Sequence, residues 1–368
     1  MEIYLVIYFV LCAFTILDIY YILPDRIIHL FYFITYLMII ILVGLRWETG
    51  TDWMAYVEHF EGISDFASTS PLLTQMEYGY SILCYLVKIF SSNYTTLLII
   101  HSIIYYFFIF KGIKRLSPYF FLSVLLFCAF TMGVLGSHRQ LLAVALIFYG
   151  TKFIFSRNFI LYLFIVLIAS IFHTTALLCI ILYFLNRDFS TIALISIICI
   201  AFVLGKTNIP AKAFGLIGAL DGIGDKLMFY LEGGKDTAKE YGVSIIGLIK
   251  RLLFVGVFIY GKDSLSKKIP YYAAILNFYI VGIVVYFLFS SSLTVLVSRG
   301  GLYFNVFEPV LISCQLLLFT SAKDRVILAS GLFIFTIFYF TQSIAEYPDL
   351  FLPYKGLFIN TDYVRELR

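Results

Sequence analysis

Charge is what this chain has least of. Asp, Glu, Lys and Arg make up 13% of its 368 residues, 62% are hydrophobic, and the mean hydropathy is +0.97. So little polar material cannot cover a soluble domain of this length, and the composition is that of an all-α polytopic membrane protein. The alternating ten-residue segments of a membrane barrel are missing. The net charge of +4 is spread over loops, which leaves nucleic acid no basic patch to bind. Paired cysteines are missing too. Cys12, Cys84, Cys128, Cys179, Cys199 and Cys314 stand singly in apolar segments, without CxxC or metal-ligand spacing, and read as small packing residues. The N-terminal Met-Glu-Ile lacks a basic n-region and a small-residue cleavage site, so the first segment reads as a retained span. With no heptad run, low-complexity stretch or internal repeat, 1–368 reads as a single integral membrane domain.

Apolar runs and aromatic rings are plentiful. Aromatics reach 19%, with 39 Phe and 29 Tyr, many near segment ends where interfacial rings sit. About twelve runs are candidates to span: 3–22, 27–45, 95–110, 119–135, 139–155, 158–171, 173–186, 190–205, 243–260, 270–290, 301–320 and 325–344. The pair around His173 is short for a hydrocarbon core of about 30 Å. Segment 78–92 carries Lys88 mid-way and is short, which fits a re-entrant or interfacial helix. Charge decides between the counts. If the N-terminus is outside and 78–92 does not cross, the inside loops collect Arg26, Lys111, Lys114, Arg115, Lys152, Arg157, Arg187, Lys262, Lys268, Lys323 and Arg325, as the positive-inside rule requires. A crossing at 78–92 would swap every later loop. The outer face then receives 46–77, acidic apart from Arg46, the loop 206–242 with Asp221, Asp225, Glu232 and Asp236, and the tail from Glu346 to Arg368.

Some arginines depart from that inward bias. Arg46 ends the second run, Arg139 opens another in Gly-Ser-His-Arg-Gln, and Arg299 precedes a third in Val-Ser-Arg-Gly-Gly. Each alone is explained by snorkelling at a helix end. Three on the face that should be poor in cations point to a bound anion, and diphosphate matches the planar guanidinium fork. Lys250 and Arg251 lie inside an apolar run, where a charge needs water or a partner. They either line the same cavity deeper down or pair with a carboxylate.

His173, in Ile-Phe-His-Thr-Thr, marks a tight turn between two short runs and is either a turn cap or a proton-transfer group. His138 precedes Arg139 and is open as a second base or a phosphate donor, while His29 and His101 read as packing. After Gly50-Thr51, the residues Trp53, Tyr56, Val57 and Phe60 recur at helical steps, so an interfacial helix begins at Thr51 or Asp52 and stops at Gly62. Asp52 is either its N-cap or a base for a sugar hydroxyl. Trp47, Trp53, Tyr56 and Tyr303 suit either interfacial anchoring or stacking on sugars.

In succession, Arg46 with Gly50-Thr51-Asp52 and Tyr56, Glu77-Tyr-Gly-Tyr80, Arg139-Gln140, Phe172-His173-Thr-Thr, Arg299-Gly-Gly-Leu-Tyr303-Phe304 and Pro353-Tyr354-Lys355 resemble the EpsG-type branch of the Wzy-like polysaccharide polymerases. The resemblance implies a GT-C-like, metal-independent glycosyltransferase of the bacterial cytoplasmic membrane that needs no cofactor. It would polymerise undecaprenyl diphosphate-linked oligosaccharide repeat units, as both donor and acceptor, into O-antigen, capsule or exopolysaccharide on the outer face. Its further partners would be membrane lipid and a chain-length regulator protein. Arg46, Arg139 and Arg299 would hold the diphosphate; Arg251 matches no family position and is added as a diphosphate ligand only from its place inside an apolar run. Asp52, His173 and Arg139 would be catalytic, and Trp53, Tyr56 and Tyr303 would meet the sugar. The chemistry is coherent: diphosphate leaves without protonation but needs its developing charge stabilised, and the attacking hydroxyl needs a base. The outer loops carry no Asp-x-Asp pair. A glycan ligase would use the same donor chemistry, and a lipid-linked oligosaccharide transporter would instead show repeated halves, which this sequence lacks.

Overall fold

The computed structural model describes residues 1–21, 24–74, 76–210, 212–213, 245–290, 292–293, 296–345 and 348–364. The outer segment 206–242 therefore lies outside the described residues apart from 206–210 and 212–213, as do Asp221, Asp225, Glu232 and Asp236. In chain order the helices are α1 (Glu2–Tyr20), α2 (Asp25–Gly44), α3 (Trp53–Gly62), α4 (Pro71–Thr74), α5 (Tyr78–Lys88), α6 (Tyr94–Leu116), α7 (Phe120–Thr131), α8 (His138–Phe155), α9 (Phe159–Phe172) and α10 (Thr191–Leu204). They continue with α11 (Ile245–Lys268), α12 (Tyr272–Phe289), α13 (Gly301–Asn305), α14 (Glu308–Gln315), α15 (Ala322–Ala345) and α16 (Pro348–Phe351). No strand occurs among the described residues. Their sheet-like pairing is confined to bridges at Gly356.

Among the described residues, five helices are long and apolar enough to cross a membrane: α1, α2, α6, α12 and α15. A sixth is reached if Leu296–Asn305 and Glu308–Leu318, bent by 43°, count as one span. This is a multi-pass membrane protein, though the twelve apolar runs are not twelve such helices. Length is one reason. The 14 residues of α9 cover about 21 Å at 1.5 Å per residue, short of a 30 Å core. Thr174–Leu185 winds as a 3₁₀-helix, whose rise of about 2 Å stretches 12 residues to roughly 24 Å. Charge is the other reason: α8 opens with His138-Arg139-Gln140, and α11 carries Lys250, Arg251, Lys262, Asp263, Lys267 and Lys268.

The chain divides into two compact units, 1–153 with 160–177 and 319–368, and 154–159 with 178–318. In the first, α2 packs on α6, and α1 packs on α7 and α15. Small residues let backbones close up: a Cβ on Gly44 would lie 3.1 Å from Ile99 Cα. Ring contacts show which ends coincide. Phe14 near the end of α1 stacks on Phe31 at 4.2 Å, and Tyr32 in α2 meets Phe110 of α6 and Phe120 of α7. Arg115 donates to the Tyr149 carbonyl at 3.1 Å and Thr151 Oγ1 at 2.6 Å, tying the end of α6 to that of α8. At the opposite end, Tyr4 of α1 meets Phe340 of α15 and Tyr354. The last turn of α2 meets the first turns of α6 there. Segment 45–93 thus enters and leaves at one end, and its longest helix, α5, has only 11 residues.

The second unit is centred on α12, buried along most of its length, with α10, α11 and α13 against it. Several of its charges find partners within it. Lys250 pairs with Glu308 at 2.7 Å, Lys262 pairs with Asp188 at 2.7 Å, and the Arg251 guanidinium lies 4.0 Å from the Tyr286 ring centre. Of the two sequence alternatives for Lys250, the carboxylate pair is the one observed.

The end carrying Arg26, Lys111, Lys114, Arg115 and Lys152 should face the cytoplasm. With exposed Cys199 replaced by Ser, a cysteine at exposed Asp65 should react with an impermeant maleimide on intact cells, and one at exposed Lys111 only after permeabilisation. The reverse pattern would invert the assignment.

Candidate functional site

Where α2 runs out, the chain turns through Leu45-Arg46-Trp47-Glu48-Thr49-Gly50-Thr51-Asp52 into α3. Two residues of this loop take the left-handed conformation, Glu48 at φ 47° and Gly50 at φ 111°. For Glu48 this costs about 1–3 kcal/mol and persists only where neighbours impose it. Gly50 lies against the turn that precedes α8. A Cβ on Gly50 would stand 2.7 Å from Gly136 Cα, and one on Gly136 would stand 2.7 Å from the Thr51 amide nitrogen. Glycine on both sides is what lets the two loops touch.

That contact carries Arg46 inward. Arg46 is 1% exposed, and among the described residues it forms no ion pair with a carboxylate. One Nη donates to the Val43 carbonyl, and the other donates to the Leu135 carbonyl at 3.2 Å and to His138 Nε2 at 2.6 Å. Both carbonyls belong to helix C-terminal ends, those of α2 and of the 3₁₀ turn Met132–Val134, where backbone dipoles concentrate negative charge. Burial pushes the guanidinium down from its ordinary value, and the hydroxyls of Tyr94, Tyr106, Tyr354 and Tyr4 oppose that shift. Nε is buried without a partner. Arg46 is therefore part of the wall, not a free fork.

Its partner's protonation follows from donor logic. Arginine only donates, so His138 Nε2 accepts, and a neutral ring carries its proton on Nδ1, facing Tyr80 Oη at 3.3 Å. The ring stacks on Tyr56 at 4.5 Å. His101, read from sequence as packing, sits behind: its Nε2 donates to the His138 carbonyl at 2.9 Å.

Arg139, one residue on, points the other way. It is partly exposed, pairs with Glu77 at the start of α5, and directs Nε at Tyr56 Oη at 3.3 Å. Asp52 stands at the N-cap of α3 but makes no side-chain cap hydrogen bond, and its charge, like that of Arg139, is felt at the Tyr56 hydroxyl. Burial raises that tyrosine, and Arg139 lowers it. Arg46, His138, Tyr80, Tyr56, Arg139 and Glu77 are thus linked by side-chain contacts, and the charge of Asp52 acts on the tyrosine in their midst. His173 is buried at the end of α9, Nδ1 2.6 Å from Thr175 Oγ1. The same helix end meets α5, since a Cβ on Gly79 would lie 3.0 Å from Ile171.

The aromatic residues are placed differently from expectation. Trp53 and Tyr56 are buried because the apolar face of α3, which they share with Phe60, turns inward onto Tyr80 and Tyr94, and Trp53 packs edge-on against Trp47 and Tyr94. Tyr303 is fully buried in the second unit. None of the three offers a free ring face for sugar stacking. Arg299 and Arg251 belong to the second unit; Arg299 is exposed within a π-helical turn, Leu296–Gly300, a distortion frequent at functional sites. Among the described residues, no group of three or more His, Cys, Asp or Glu is arranged to hold a metal ion. What sequence reasoning missed was pairing. Glu77 lay within a noted motif and His138 beside a noted arginine, but neither signal says which cation each would meet.

His59, on the outer flank of α3, accepts from or donates to Ser81 Oγ at 3.1 Å. Burial first, then Arg139, pushes its imidazole down from 6.5 to about 4. The folded chain therefore holds His59 neutral while the unfolded chain takes up a proton, so this group withdraws stability as pH falls from 6.5 towards 4. His59→Gln should flatten part of that acid slope. Thermal unfolding midpoints in detergent at pH 7 and pH 4.5 measure it, and an unchanged slope would show that His59 titrates normally.

No curated protein and no solved structure matches the chain. The sequence model of the EpsG family does, over residues 29–356. That span takes in the Arg46 loop, the Glu77 and Arg139 pair, the His173 turn, Arg299 and Lys355, and it shows that this chain belongs to the EpsG family.

Proposed function

We propose that this protein polymerises undecaprenyl diphosphate-linked oligosaccharide repeat units into a surface polysaccharide, by glycosyl transfer at the outer face of the cytoplasmic membrane. Family membership supports a polysaccharide polymerase. The observation that carries the chemistry is the partly exposed Arg139, held by Glu77 and Tyr56, with the uncapped carboxylate of Asp52 acting on the same tyrosine hydroxyl. We also propose a GT-C-like arrangement, in which a membrane body of helices presents this loop cluster to the outside. The cation-rich opposite end supports that orientation.

In the proposed reaction the acceptor hydroxyl oxygen attacks the anomeric carbon of the donor sugar. A new glycosidic C–O bond forms, and the bond from that carbon to the diphosphate breaks. The electron pair leaves with undecaprenyl diphosphate, and the hydroxyl proton passes to a base. Arg139 meets the charge developing on the leaving group, a role for preorganised donors that is worth about 10²–10³ in rate where one such donor is removed elsewhere. Buried Arg46 adds positive potential from behind and holds His138, while Tyr56 and Glu77 set the direction of Arg139. Asp52 is the base this arrangement favours: it accepts no cap bond, whereas His173 is buried with Nδ1 engaged by Thr175. Because guanidinium stabilises the leaving group, the step requires no metal. Arg299 and Arg251 keep the anion-binding role assigned from sequence as a proposal for separate substitution. A chain-length regulator is the protein partner proposed, to be sought by co-purification.

One assay tests this. Membranes or purified protein are supplied with the lipid-linked repeat unit and the products are resolved by size. A ladder supports polymerisation, and a single transfer product would instead make the protein a ligase. EDTA should leave turnover intact. Arg139→Lys should lower it about 100-fold although charge is kept, because an ammonium cannot reproduce the fork. Asp52→Asn should lower it roughly 10²–10⁴-fold. Wild-type ladders from Arg139→Lys would reject the diphosphate role, and a rate lost to EDTA and restored by Mn²⁺ would reject the metal-free step.

A further inference from the structure

The loop that carries Arg46 is not held by its own helix alone. Residues 354–357, from the far C-terminal part of the chain, lie along it as a short extended strap. The Trp47 amide donates to the Lys355 carbonyl at 2.9 Å, and the Leu357 amide donates to the Leu45 carbonyl at 2.9 Å, which makes Arg46 and Gly356 an antiparallel bridge. Tyr354 Oη donates to the Leu42 carbonyl at 2.9 Å in the last turn of α2, and Asn360 Nδ2 closes the strap on itself through the Tyr354 carbonyl at 2.7 Å. Gly356 is required by the approach, since a Cβ there would lie 3.0 Å from the Leu45 carbonyl oxygen. The strap also contributes a charge. Lys355, 7% exposed, places Nζ 2.5 Å from Glu48 Oε2, on the residue whose backbone sits at φ 47°.

We infer that Lys355 and Glu48 form a clamp that positions the Arg46 loop for the transfer reaction, the strap acting as a built-in part of the site. This rests on the polymerase reading above. The reasoning is directional. The strap fixes the backbone on both sides of Arg46, and a strand-like residue so held sends its side chain off the pairing line, here into His138 and the Leu135 carbonyl. Glu48, in a conformation that needs outside support, receives that support from Lys355, and the next turn brings Gly50 onto Gly136. Removing one partner leaves the other charge unpaired, buried for Lys355 and partly buried for Glu48, which loosens the loop more than removing or exchanging both. Lys355 and Glu48 are positioning residues, and neither is proposed to touch substrate.

The loop contains its own reporter. The chain has two tryptophans, Trp47 and Trp53, and both flank the clamp with ring centres 5.3 Å apart. Lys355→Met and Glu48→Gln are each expected to lower ladder formation from the lipid-linked repeat unit by roughly ten- to a hundredfold, through kcat more than KM. They should also raise acrylamide quenching of tryptophan fluorescence while helical circular dichroism stays at the wild-type level. The exchanged pair, Glu48→Lys with Lys355→Glu, is expected to recover both activity and quenching. Single variants with wild-type activity, activity lost with quenching unchanged, or an exchanged pair that recovers neither readout would each overturn the clamp. Should a single variant not fold, the exchanged pair decides alone. If Arg139→Lys in the same assay also forms normal ladders, the fault lies with the site assignment and not with the clamp.

Discussion

A guanidinium withdrawn from water, with no carboxylate beside it, is the constraint around which the first unit is arranged. An isolated charge in such surroundings is expensive, and the structure offsets the expense with oriented dipoles and not with an opposite charge. The carbonyls at two helix ends and the lone pair of a neutral imidazole supply the negative potential. For those groups to converge, α2 must stop at Gly44, the 3₁₀ turn after α7 must stop at Leu135, and α8 must start at His138. The positions of three helix termini follow from solvating one cation. The glycine-to-glycine contact between residues 50 and 136 and the strap at 354–357 serve the same geometry from outside.

Carboxylates in the acidic segment 46–77 then divide by what they meet. Glu77 is engaged by Arg139 and Glu48 by Lys355, so these two serve shape. Asp52 is left without a cap bond, and its charge acts on Tyr56, the tyrosine that the partly exposed Arg139 also meets. On the function proposed above, this division separates residues that would hold the site from the one that would take the proton. Two arginines so alike in sequence context also differ in surroundings: Arg46 faces helix ends and an imidazole inside, while Arg139 is partly exposed and meets Glu77 and Tyr56. Arg46 contributes mainly long-range field, and a field of this kind acts more strongly in surroundings poor in water.

Much of the fold was legible, for a reason that lies in the solvent. A bilayer demands long apolar helices and biased loop charge, and both demands are local properties of a sequence. The five long spans, the helix at Trp53–Gly62 and the shortness of α5 were all visible that way. The count of spans was not. Whether 14 apolar residues wind as α or 3₁₀, or whether a run bends by 43° at Val306-Phe307, depends on neighbours. The aromatic residues show the same limit. Trp53, Tyr56 and Tyr303 look like sugar platforms in a sequence because ring type is local, yet whether a ring face is covered is decided by packing.

The residues themselves determined that this is a multi-pass helical membrane protein of the EpsG family, with arginines at the ends of its apolar runs and an acidic loop following the second. Only the tertiary structure decided which charges meet. Arg46 and His138 are separated by 92 positions, Arg139 and Glu77 by 62, and Lys355 and Glu48 by 307. Charge pairing falls off over a few ångströms and is indifferent to sequence distance, so partners are chosen by where helix ends come to rest.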